Sequence, residues 1–109
     1  MQVLTHDEAA HALDEVGVLQ QEIDGDSGSV DLEAAGREMV ERLDAVMEYF
    51  GESPSLYSTI VEPMMGWANF SVGLKFIDEP ESVEGRRYYA LWVVLRAFFA
   101  KYRHLNPDG

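Results

Sequence analysis

The sequence predicts an all-α fold: a single-domain bundle of about four helices, with one extra short helix before Pro63. Three observations carry this. Every segment with a regular apolar pattern repeats at the helical period, and none keeps a strand-like alternation beyond a few residues. Clusters of Gly, Pro, Ser and Asp interrupt the chain at IDGDSGSVD (23–31), FGESPS (50–55) and IDEPESVEG (77–85), which leaves four segments. The 109 residues are 47% hydrophobic, enough for one ordinary domain to build a core without staples.

The first helix begins after Thr5. Thr5 and Glu8 have the spacing of a capping box, in which each side chain satisfies a free backbone N–H of the other residue. Leu13, Val16, Leu19 and Ile23 then recur at helical spacing. The second helix starts after Ser29 or Asp31, either of which can cap it. Leu32, Gly36, Met39, Leu43, Val46 and Phe50 step by four and three, and Gly51 stands where a left-handed C-cap is expected. The opposite face carries Glu33, Glu41, Asp44 and Glu48, so this is the clearest amphipathic helix in the chain.

The third segment, EPMMGWANFSVGLKFI at 62–77, has no charge between Glu62 and Lys75. Pro63 fits the first turn of a helix starting near Glu62, after a short helix at about 55–61. Trp67, Phe70, Leu74 and Ile77 form one stripe, and Val61, Met65, Ala68, Val72 and Phe76 another. The remaining face, with Gly66 and Gly73, is small enough for a neighbouring backbone to approach. Such a helix is expected to be surrounded. The fourth, at about 81–104, has a main seam of Tyr88, Leu91, Leu95, Phe98 and Tyr102, and a second of Trp92 and Phe99. The expectation is that the last two helices form the hydrophobic centre while the first two face water. Apolar surface left over on so small a bundle predicts self-association, with a homodimer as the default.

A membrane segment fails on length. Positions 63–74 give twelve uncharged residues that include two glycines, a proline and an asparagine, whereas a spanning helix needs roughly 20 apolar residues. The run YYALWVVLRAFFA is broken by Arg96. The N-terminal MQVLTHDEAAHALDE has neither the basic nor the apolar region of a signal peptide. With no cysteine in the chain, disulfides, zinc ribbons and thiol catalysis are excluded. A cytoplasmic location is expected.

Charge is the most informative feature. The formal net charge is −12. Up to Glu62 there are fifteen acids against Arg37 and Arg42; from Pro63 onward there are five acids and six bases. The two parts therefore carry −13 and +1. Phosphate contacts need Lys and Arg, so direct nucleic-acid binding is not expected. Three uses of the acid compete: a salt-adapted (halophilic) surface, plain solubility, and an acidic face offered to a basic protein surface.

Local constellations carry less. Glu8-x-x-His11 has the local spacing of di-iron carboxylate bundles, but a second such motif and two further inward carboxylates are missing. Glu38, Glu41 and Asp44, and likewise Glu81 and Glu84, follow the helical spacing of magnesium-holding acids; a solvated face explains them more simply. Ser27 follows an acid ahead of an acidic helix, as in the small four-helical acyl carrier proteins, but Gly28 stands where those have a bulky apolar residue. Arg86 and Arg87 precede Tyr88 and Tyr89, and ion pairing to the acidic helices is their plainer use. No phosphate-binding loop, dinucleotide fingerprint, nucleophile elbow or triad spacing occurs. The sequence therefore predicts no cofactor, no metal and no catalytic residue. It predicts a small acidic helical module that binds another protein through Asp14, Glu15, Glu22, Glu41 and Glu48. The alternative is a helical enzyme or metal-binding subunit whose Glu/His site is assembled across a dimer.

Overall fold

A computed structural model describes residues 5–51 and 53–107; Glu52 of the second break and the acid Asp108 lie outside them. The fold is all-α, with four principal helices. The elements are α1 (His6–Asp24), α2 (Leu32–Phe50), a short α3 (Pro54–Leu56), α4 (Glu62–Ser71) and α5 (Val83–Lys101). No strand occurs among the described residues.

The helix ends follow the local chemistry of the sequence. Thr5 caps α1 through the full capping box: its hydroxyl accepts from the Glu8 N–H, and the Glu8 carboxylate accepts from the Thr5 N–H. Asp31, not Ser29, caps α2 by accepting from the Ala34 N–H. Gly51 ends α2 at φ 78°, the left-handed region that glycine enters without penalty. Ser82 caps α5.

The short helix expected before Pro63 is present, though not as a separate element. α3 runs into a π-helical turn, Tyr57–Val61, which runs directly into α4. A proline inside a helix has no N–H to give and crowds the carbonyl four residues back, here that of Thr59. The π turn widens the coil just ahead of Pro63, with the Glu62 N–H reaching back five residues to the Tyr57 carbonyl. Thr59 also returns its hydroxyl to the Ser55 carbonyl.

α1 and α2 form an antiparallel hairpin: the His6 ring lies 6.4 Å from that of Tyr49 at one end, and Glu15 bridges to Arg42 midway. α2 packs next against α5, and α5 against the segment that follows α4. α1 meets α4 at its C-terminal end, where Gln20 donates to the Met64 sulfur and the Trp67 indole N–H donates to Asp24. The buried residues form one contiguous cluster that draws on every helix.

That cluster corrects the expected centre. Met39, Leu43, Val46 and Met47 of α2 are fully buried, as are Leu91 and Leu95 of α5, so α2 and α5 are the middle of the bundle. The main seam of α5 is buried throughout, as its spacing implies. α4 is peripheral: Val61, Met64, Ala68 and Val72 are buried, but Phe70 is 74% exposed and Leu74 and Ile77 are also in solvent. The reason is local. Met64 and Ala68 form the inward stripe of α4, which puts Phe70, two residues past Ala68, on the outer side; α4 then stops at Ser71, and the 3₁₀ turn at Gly73–Lys75 carries Leu74 and Ile77 out of the helical register. Phe76 turns inward instead, edge-on to Tyr89 and Trp92.

Two stripe ends also fall outside the core. Leu13 and Phe50 are exposed, and the small Ala9 and Ala12 let α1 lie close on α2. The small face of α4 receives no neighbouring backbone: Gly66 has open space, and a Cβ at Gly73 would meet the Trp92 ring at 3.5 Å. The tight glycines are Gly36, against Leu91, and Gly85, against the Glu79 carbonyl.

Candidate partner-binding surface

The acids of α1 and α2 divide into those used inside the fold and those left in solvent. Asp26, at the start of the loop after α1, is the most heavily used. Its side chain is 1% exposed and accepts two charge-assisted hydrogen bonds from Arg87, at 3.0 and 3.1 Å. It also accepts from the Tyr88 hydroxyl and from the backbone N–H groups of Gly28 and Val30. Arg87 reaches on to the Val30 carbonyl at 2.6 Å and to Glu84. The Arg87 guanidinium holds the Asp26 carboxyl well below the usual carboxylate range, against the opposing effect of burial. Asp26 in turn holds Arg87 above the usual guanidinium value. Burial, reinforced by the Asp26 charge, pushes the Tyr88 hydroxyl up to about 12. This cluster ties α5 to the α1–α2 loop, as expected of an arginine beside acidic helices, and it leaves no charge spare for a ligand.

Other acids are spent in the same way. Asp44 receives the Tyr102 hydroxyl at 2.8 Å and Lys101 at 3.3 Å. Glu33 pairs with Arg37, Glu81 with Arg86, and Glu84 with Arg87.

The five predicted partner-binding residues separate along this line. Glu15 is half-buried and bonded to Arg42 at 2.6 Å and to His11 at 3.0 Å, and the Arg42 hydrogen bond lowers its pKa from the ordinary value. Its charge holds α1 to α2. Asp14, Glu22, Glu41 and Glu48 are exposed and make no ion pair among the described residues, as do Asp7 and Glu38. Glu41 and Glu48 are seven residues apart, two turns, and share the outward stripe of α2 opposite Met39, Leu43 and Val46. Glu48 lies beside the start of α1, and Glu22 near its end. The unpaired acids therefore make an elongated surface rather than one focus, roughly 20–25 Å long by the helical rise.

An open groove of about 500 Å³ runs between the two helices, lined by Asp7, Glu8, His11, Glu15, Glu41 and Arg42. It contains the Glu8-x-x-His11 motif, but Glu8 is engaged at the cap and His11 at Glu15. Among the described residues no group of three or more His, Cys, Asp or Glu side chains is placed to hold a metal ion. Ser27 is exposed in the loop beside Gly28, which adopts φ 104°.

Sequence reasoning passed over a second concavity. A cleft of about 450 Å³ lies between α4 and α5, with Tyr57, Met65, Trp92 and Phe99 as its apolar walls and Arg96 and Arg103 at its edge. Trp92 and Phe99 were legible as a second seam, whereas Arg96 entered only as a break in an apolar run. The signal available was the spacing: Trp92, Arg96, Phe99 and Arg103 step by four, three and four. No helix among the described residues is long and apolar enough to cross a membrane. Compared with known proteins, the chain matches no family model, no curated protein and no solved structure.

Proposed function

We propose that this chain is a non-catalytic protein-interaction module that presents the unpaired acids of α1 and α2 to a basic surface of another protein. The observation that carries the reading is the division of the acids. Six carboxylates are paired with cations of the fold, whereas Asp14, Glu22, Glu41 and Glu48 are spread along α1 and α2 in solvent without an ion pair among the described residues. Like charges on one surface repel and cost stability, and a steered encounter with a basic partner puts that cost to use. A cysteine-free chain suits the reducing cytoplasm, where we place the encounter. The alternative, a Glu/His metal or catalytic site completed by a second copy, would start from Glu8 and His11, and both are already engaged.

The test compares capture from the native host by the wild-type chain and by the D14K/E22K/E41K/E48K variant. All four side chains are exposed, so the variant keeps its core. The reading expects a specific protein retained by the wild type and lost by the variant. Equal retention by both would overturn it, and metal found by elemental analysis would favour the alternative.

A second component has its own observation. Phe70, Leu74, Ile77, Val83, Tyr89 and Val93 are all exposed in the 70–93 region of a chain with ample charge for its surface. This favours self-association through that region, as a homodimer.

A further inference from the structure

We propose that the cleft between α4 and α5 binds a small amphipathic carboxylate, a flat apolar body bearing one or two anionic groups. The first support is how arginine is spent. Four of the six arginines, Arg37, Arg42, Arg86 and Arg87, lie on carboxylates. Arg96 and Arg103 make no ion pair and no side-chain hydrogen bond among the described residues, in a chain with twenty acids. Both edge the same cleft.

The second support is the order of side chains along α5 and the turn after it. Trp92, Arg96 and Phe99 share one stripe of α5, and Arg103, in the 3₁₀ turn after it, lines the same cleft, so aromatic and cation alternate along it. Tyr57 and Met65 close the cleft from the other side, and the Tyr57 hydroxyl lies 3.7 Å from the Met65 sulfur. An apolar body fits between these walls with its anion at the rim, where a planar guanidinium can take a carboxylate through two parallel hydrogen bonds.

The size of the ligand follows from volume and field. A cleft of about 450 Å³ is in the range of small-molecule sites. The whole chain carries −12, so a nucleic acid or acidic polypeptide would bring many charges into a repelling field. A ligand with one or two charges meets little of that repulsion and keeps the local attraction. This site is separate from the acidic surface and does not depend on it.

The probes are 2-naphthylacetate and its neutral counterpart 2-naphthylacetamide. Trp67 and Trp92 are the only tryptophans, so a W67F chain reports on the cleft through Trp92 alone. Wild-type NMR of the indole N–H and arginine Nε–H signals gives the same readout without any substitution. We expect saturable change at Trp92, Arg96 and Arg103 with the carboxylate. We also expect binding roughly tenfold weaker or worse for the amide, and for the carboxylate with an R96Q/R103Q chain of unchanged circular dichroism. Equal binding of acid and amide, an unaffected double variant, or signals shifting elsewhere would each overturn the proposal.

Discussion

Asp26 shows how one carboxylate can join a loop to a distant helix. It accepts from the α1–α2 loop through Gly28 and Val30 and from α5 through Arg87 and Tyr88. Removing one member of a buried ion pair leaves the other uncompensated, which typically costs about 3–5 kcal/mol. Arg87 retains Glu84 and the Val30 carbonyl, so D26N is expected at the low end, about 3 kcal/mol, by urea unfolding at pH 7. The pH response follows from the depressed Asp26 pKa. The unfolded chain takes up this proton first, at about pH 4. The Asp26 contribution is therefore complete above about pH 5 and is lost progressively as pH falls below 4. D26N should show a flatter acid limb than wild type in the same titration. Tyr88 acts at the other extreme: its hydroxyl, raised to about 12, adds stability that is present below pH 10 and lost between about 10 and 12. None of this was legible in IDGDSGSVD, which reads only as a loop. The partner of Asp26 lies 61 residues away, and no local spacing announces it.

At the scale of the element, end signals were legible because they are local. The Thr5–Glu8 box and Gly51 act within a few residues, so spacing alone identifies them, and for α2 it narrowed the N-cap to Ser29 or Asp31, of which Asp31 caps. The seam of α5 was legible because its face is buried along its whole length. Phe70 was misplaced because α4 carries two apolar stripes and the one through Ala68 is buried; Leu74 and Ile77 were misplaced because a helical wheel assumes an unbroken helix, and the turn at Gly73–Lys75 breaks it. Met47 was missed because α2 is central and buries more than one stripe. The glycines give a prediction of opposite signs. A Cβ at Gly85 would run into the Glu79 backbone carbonyl, which cannot swing aside. G85A should therefore destabilise by about 1–3 kcal/mol. At Gly66 the same methyl meets nothing, and alanine is the better helix former, so G66A should stabilise by up to about 1 kcal/mol. Thermal or urea unfolding of the two variants checks both, and equal responses would contradict the packing described.

At the scale of the whole molecule, the division into −13 and +1 could be read from the sequence, but the use of each acid could not. Glu15 and Glu41 look alike in sequence, yet one bridges to Arg42 and the other stands in solvent. The unpaired acids repel at low ionic strength. Screening shortens from about 10 Å at 0.1 M salt to about 3 Å at 1 M. A melting temperature that rises steeply over this range identifies the charge as salt adaptation or simple repulsion. The recognition reading expects a shallow response, because eight of the eighteen described acids are already paired or capping. The exposed apolar region gives a second expectation: sedimentation should find a homodimer that F70E/I77E converts to a folded monomer.

The most direct test of the account is kinetic. The captured partner is bound to wild type and to D14K/E22K/E41K/E48K across a salt series. Surface charges act mainly on encounter, so the account predicts an association rate that falls steeply with salt for wild type. The variant should associate roughly tenfold more slowly or worse, with a flattened salt dependence and a dissociation rate little changed. An association rate and salt dependence identical in the two proteins would contradict it, and would leave the acids of α1 and α2 as solvation alone.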